Sequence, residues 1–144
     1  MRRSFAALAV VFLVGFAATL TISHAEDMAS ITWRNYELSQ LTNFTVKNHE
    51  GEYLGRMQDF VIDSSGRIVF AIVSKPGFLG IRGPAVAIPF EALSLPSEGN
   101  SFVLDMSREK FASAPLFDKA SGLDNSAWAA NVYKYYGVQP YWTD

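Results

Sequence analysis

Few residues in this chain have the type and spacing that catalysis needs. Cysteine is absent, which excludes a thiol nucleophile, structural disulfides and lipid attachment to a cysteine. Of the two histidines, His24 sits in an apolar N-terminal segment. His49 falls in the polar turn Asn48-His49-Glu50-Gly51, with no activated serine beside it for a nucleophile–base pair. Asp59 and Asp63 share a face of an extended strand, but four residues at ~3.3 Å each would hold them about 13 Å apart. Paired catalytic carboxylates work at ~5–9.5 Å, so structural roles are expected. Asp63 would open a turn, and Asp59 would accept from backbone donors or pair with a basic neighbour such as Arg56. One histidine beyond the first segment and no cysteine make a zinc or copper cage implausible, and no calcium-loop pattern occurs. Gly77, Gly80 and Gly83, three apart, match no phosphate-cradling motif. Tyr133-Lys134-Tyr135-Tyr136 looks like a base-stacking run beside a cation, yet an aromatic stripe at helical spacing is more often core. These readings predict no enzyme activity, no cofactor, no metal and no nucleic-acid partner.

What remains is an apolar loop. Between Lys75 and Pro84, the large residues Phe78, Leu79 and Ile81 are interleaved with Gly77, Gly80 and Gly83, and Arg82 follows. Pro76 and Pro84 fix only the two ends. Apolar residues on such a connection either fold inward as a plug or stand outward as an interaction patch. Phe78, Leu79, Ile81 and Arg82 are the candidate partner-binding residues.

The elements that would position this loop are β-strands. Runs near 44–48, 53–63, 67–74, 85–90 and 101–105 are β-rich, and a short strand at Leu93–Leu95 could pair with the last. Three glycine-closed turns separate them, Asn48–Gly51, Asp63–Gly66 and one around Gly99, which predicts an antiparallel meander. In the third run, Ile68, Phe70 and Ile72 alternate with Val69, Ala71 and Val73. Both faces are apolar, so this strand needs cover on two sides. In Ala85–Phe90 the large Val86, Ile88 and Phe90 oppose the small Ala85 and Ala87, which suits a small closed barrel. Pro89 cannot donate to a ladder and should mark a strand end or an edge. Ser107 caps a short helix over 108–114, with Pro115 beyond it. Asp124-Asn125-Ser126 caps a second helix, about 125–136, whose face is Trp128, Val132, Tyr135 and Tyr136, with Gly137 as its stop.

The chain opens Met1-Arg2-Arg3-Ser4, runs uncharged from Phe5 to Ile22 and reaches Ser23-His24-Ala25. A basic start, an apolar run and a small-x-small site describe a secretory signal peptide cleaved after Ala25. The alternative is an uncleaved anchor, since the apolar run of about 18 residues is near the spanning limit. The segment contains two of the 12 basic residues and none of the 14 acidic ones, so cleavage would leave 119 residues with a net charge near −4. That length suits one domain with its own core. The charge opposes bulk attraction to nucleic acid or anionic membranes.

In order and spacing these residues resemble the PRC-barrel domains, found in the photosynthetic reaction centre H subunit and in a ribosome maturation factor. The resemblance rests on Val46, Gly51, Leu54-Gly55, Asp59 with Val61-Ile62-Asp63, Gly66 and the Ile68–Ser74 strand. It continues through Gly77-Phe78-Leu79-Gly80-Ile81 and Val86-Ala87-Ile88-Pro89-Phe90-Glu91-Ala92-Leu93, and closes at Leu104-Asp105 and Ala114-Pro115. Asn43 stands where such domains often have glycine, and Arg82-Gly83-Pro84 departs from the usual polar segment.

The resemblance implies a mostly β fold, a small antiparallel PRC-type β-barrel over residues 41–117. It would follow a signal peptide (1–25) and a flexible leader (26–40) and precede a C-terminal helical extension (118–144) packed on the barrel. It implies an interaction or assembly module rather than a catalyst. The expected function is docking on a protein partner, a second copy of the chain included, in the periplasm or outside the cell, without stable membrane insertion. A small-molecule binder or minor enzyme using the barrel mouth is the alternative. Because the apolar loop belongs to the shared pattern, some inward packing of Phe78 is expected. Gly51, Gly55, Asp59, Asp63, Gly66, Gly77, Gly80 and Pro89 are the expected structural positions.

Overall fold

The computed structural model describes residues 35–95, 99–120 and 123–143. The signal-peptide reading of residues 1–25 and the tether expected at Trp33 lie outside them. In chain order the elements are α1 (Leu38–Leu41), β1 (Thr45–Lys47), β2 (Tyr53–Ile62), β3 (Ile68–Ser74) and β4 (Ala85–Pro89). A 3₁₀ turn (Phe90–Ala92), β5 (Leu93–Ser94), β6 (Ser101–Leu104), α2 (Arg108–Ala112), α3 (Ser126–Tyr136) and a last 3₁₀ turn (Tyr141–Thr143) follow. No helix among the described residues is long and apolar enough to cross a membrane. The stretch read as a leader contains the start of α1, and Tyr36 there sets its ring edge-on to Phe44.

The strands form one six-stranded sheet in the order β4-β3-β2-β1-β6-β5. Its pairs are antiparallel except β1 with β6, which runs parallel. That pair departs from the all-antiparallel meander expected from the turns. The physical reason is the return through the 3₁₀ turn and β5, which brings β6 back beside β1 from the far edge. The same connection curls the sheet into a half-barrel. Laid flat, six strands at ~4.8 Å spacing would separate the edges by about 24 Å. Pro89 ends edge strand β4 and Leu93 starts edge strand β5. Four virtual bonds of ~3.8 Å let that link span at most about 15 Å, so the sheet must curve.

Two turns are shaped by glycine. Gly51 and Gly66 adopt φ of 81° and 83°, the left-handed region where a side chain would add strain. Before Gly66, Asp63 Oδ1 accepts from the Ser65 hydroxyl and from the N–H groups of Ser65 and Arg67. Those donors, the Ser65 hydroxyl first, hold the Asp63 carboxyl below its ordinary pKa. Gly55 lies where β2 runs close against the end of β3; a Cβ there would meet the Ser74 carbonyl oxygen at 2.5 Å.

Two irregularities decide which way the strands face. In β2, Gln58 is passed over between the pairs Met57–Val73 and Asp59–Ile72; in β3, Val69 is passed over between Ile62–Ile68 and Val61–Phe70. An extra residue breaks the two-residue alternation. Simple alternation puts Val69 with Ala71 and Val73. The bulge instead turns it to the side of Phe70 and Ile72. The inner core gathers Val46, Leu54, Met57, Val73, Ile88 and Phe102, together with Phe111 of α2. The outer cluster joins Val69, Phe70, Ile72 and Ala87 to Val132 and Tyr133 of α3. β3 therefore separates two apolar layers, as its doubly apolar sequence requires.

The face of α3 differs from the expected one by one residue. Trp128, Val132 and Tyr136 turn to the sheet, but Tyr133 rather than Tyr135 is fully buried. Tyr135 instead reaches α2, where it donates its hydroxyl to the Lys110 carbonyl. Tyr133 packs on Phe70 and Trp142 with ring centroids 5.5 and 5.2 Å away. Burial, with the Glu91 charge second, pushes its pKa up to about 12. Asn125 caps the helix by accepting from the Trp128 N–H at 3.1 Å, and Gly137 ends it at φ 73°.

These two tyrosines should respond oppositely to substitution. Tyr133→Ala is expected to cost ~3 kcal/mol or more, since it empties the seam under α3. The Tyr136 hydroxyl is buried with no hydrogen-bond partner among the described residues. Tyr136→Phe should therefore leave stability unchanged or raise it by up to ~1 kcal/mol, as urea denaturation would show.

Candidate functional site

Antiparallel β3 and β4 end their pairing at Ser74 and Ala85, so residues 75–84 form the tip of a hairpin. The Lys75 N–H donates to the Pro84 carbonyl at 2.9 Å, and Phe78 and Ile81 exchange both backbone bonds at 3.1 and 3.0 Å. Leu79 and Gly80 make the two-residue turn between them at φ 51° and 78°. Positive φ at both central residues is the type I′ pattern, whose twist matches antiparallel strands. Glycine at position 77 is required by contact rather than by φ. A Cβ there would lie 1.6 Å from the Ile81 carbonyl oxygen.

This geometry overturns the inward packing expected of the loop. Phe78, Leu79 and Ile81 are 79, 84 and 75% exposed. The I′ turn carries the β3–β4 ladder direction outward. At the base of the hairpin, Phe111 of α2 is buried in the inner core. Lys75 lies over that ring, 6.0 Å from its centroid, and donates to the carbonyls of Ala112 at 2.7 Å and Ala114 at 3.1 Å. Those carbonyls end α2, where a cation is favoured. Partial burial lowers the Lys75 pKa.

Beside the tip runs a polar cleft of about 420 Å³, bordered by Tyr53, Arg56, Ser74, Lys75, Ile81 and Arg82. Among the described residues no carboxylate borders it. Among the described residues neither arginine makes an ion pair. Of the candidate residues, Phe78, Leu79, Ile81 and Arg82 come together here with Gly77 and Gly80, whereas Gly51, Asp59, Asp63, Gly66 and Pro89 lie elsewhere on the barrel. His49 is an exposed turn residue whose Nε2 stands 3.8 Å from Asp105 Oδ1, a solvated pair worth little. Asp59 accepts from the Phe60 N–H through its own Oδ1.

A second surface was not legible in the sequence. Two adjoining clefts, of about 410 and 320 Å³, share Val61, Ile62 and Leu123. β2 forms one wall, and Phe117, Leu123 and Trp142 stand across from it. Ile62 at the end of β2 is 57% exposed. The available signal was an isoleucine next to the turn aspartate, on the strand face that bulging at Gln58 turns outward. Among the described residues no group of histidine and acidic side chains is arranged to hold a metal.

A family model described as PRC-barrel domain matches residues 34–110, more than half of the chain. The match includes the hairpin and ends within α2, so α3 lies beyond it. No curated protein matches the chain.

Leu79 has left-handed backbone, which costs a side chain with a Cβ ~1–2 kcal/mol. Leu79→Asn would create the favoured Asn-Gly turn. It is expected to raise stability by ~1 kcal/mol in thermal or urea unfolding, because the exposed leucine loses no packing. A fall in stability would show that the leucine side chain is held by contacts.

Proposed function

The chain belongs to the PRC-barrel domain family, and from that membership we propose that it is a non-enzymatic interaction module of the periplasm that docks on a protein partner. The hairpin 75–84 is the docking element. The observation that carries this reading is the outward stance of Phe78, Leu79 and Ile81 on a turn braced by backbone bonds at both ends. A backbone fixed before contact loses little conformational entropy on binding, which is what makes a small patch effective. Arg82 adds a charged rim beside them.

A small-molecule binder is the second reading. The inner core, where a barrel-mouth ligand would sit, is packed, whereas the outer cleft of about 410 Å³ falls in the ligand-sized range. Reproducible thermal stabilisation by a metabolite would favour it.

Export follows from the sequence of residues 1–25. The intact mass of the protein recovered from the periplasm is expected to correspond to a chain beginning at Glu26. Retention of the first segment would replace export with anchoring.

For the docking role, Phe78→Ala should change stability by no more than ~0.5 kcal/mol, as befits an exposed site. The same substitution should weaken crosslinking of the protein in its native compartment. Unchanged stability with every crosslink retained would remove the hairpin from the account.

A further inference from the structure

We propose that the partner of the hairpin is a second copy of this chain, and that its receptor is the groove between β2 and the segment from Phe117 to Trp142. The inference rests on the docking role proposed for the hairpin and names what it docks on.

Three independent features match. The first is shape: the hairpin is a convex two-residue tip, and the groove is a concavity of two adjoining clefts of about 410 and 320 Å³. The second is apolar character. Ten large apolar side chains are exposed among the described residues, and six of them are Phe78, Leu79 and Ile81 on the tip and Ile62, Leu123 and Trp142 in the groove. Clustered exposure of this kind marks an interaction surface, whereas scattered single residues do not. The third is charge. Arg56, Lys75 and Arg82 flank the tip with no acid among them. Among the described residues the groove is bordered by Asp59, Asp63 and Asp124 against Lys119, with Arg67 over the ring of Tyr141 at its edge, so acids outnumber bases there. Opposite local potentials orient such a contact and discriminate against other partners.

Tip and groove are both solvent-exposed in one molecule, so neither covers the other. The contact is heterologous: one surface of one copy meets a different surface of the next. One groove wall, from Phe117 to Trp142, lies beyond the residues that match the family. The receptor thus depends on what this chain adds to the barrel.

Sedimentation of the full exported protein, from low micromolar to millimolar concentration, tests this with two variants at exposed positions. Phe78→Glu sets an acid against the acidic groove. Ile62→Lys sets a cation against the basic tip. The wild type is expected to move from monomer to larger species as concentration rises, and less so at high salt. Each variant alone should remain monomeric with unchanged melting temperature. An equimolar mixture supplies an intact groove from the first variant and an intact tip from the second, and should associate with an affinity within about tenfold of the wild type.

A wild type that stays monomeric throughout, association indifferent to both substitutions, or a mixture that stays monomeric overturns the proposal. A monomeric wild type whose native crosslinks still depend on Phe78 would discard self-association and keep the hairpin as a docking element for another protein. Loss of both dependences would discard the docking role as well.

Discussion

The architecture depends on β3 being apolar on both faces. Ala71 and Val73 point into the half-barrel, while Val69, Phe70 and Ile72 point away from it, and all five are buried. A strand of this kind leaves no face for water, so the sheet must both curl around its inner side and acquire a cover on its outer side. The short β4–β5 link supplies the curl, and α3 supplies the cover. The bulges at Gln58 and Val69 adjust which residues reach each layer. Two small cores sharing one strand wall are then stabilised together, since loss of either exposes part of β3.

The hairpin is the continuation of that wall. β3 and β4 are fixed by burial on both sides, so the tip they carry emerges from a rigid base, secured further by Lys75 on the end of α2. Exposing three large apolar side chains forgoes ~1.5–3 kcal/mol of burial for each. Leu79 adds strain at its left-handed backbone. Such costs persist where the surrounding structure over-determines the conformation, and they concentrate at sites with a role in recognition. The glycine at position 77 serves the same end by letting the two arms of the tip approach within backbone contact.

Much of the fold was legible because its signals are local. Glycine-closed turns, the two-sided apolar run Ile68–Val73, the caps Ser107 and Asn125 and the stop Gly137 locate most elements within a residue or two of where they lie. The parallel β1–β6 pair was not legible, because pairing between strands more than fifty residues apart depends on the global path. Nor was the outward turn of Phe78. An apolar residue in a glycine-rich loop has the same sequence whether it plugs or protrudes. Tyr133 was missed on α3 because the helix contacts both the sheet and α2, so its buried stripe is rotated from that of a helix on a flat layer. The groove was hidden for a related reason. Its walls, Ile62 on one side and Leu123 and Trp142 on the other, are about sixty to eighty residues apart in sequence.

Hydroxyl-radical footprinting of the intact protein, read residue by residue at low and at high concentration, tests the outward-facing hairpin and its receptor together. At low concentration Phe78, Leu79, Ile81, Ile62 and Leu123 are expected to label heavily, in line with their exposure. At high concentration the labelling of all five should fall together, while exposed Leu38 of α1, which borders neither surface, stays unchanged. Protection of Phe78 in the dilute protein would contradict the outward hairpin. Labelling that does not change with concentration would contradict its pairing with the groove.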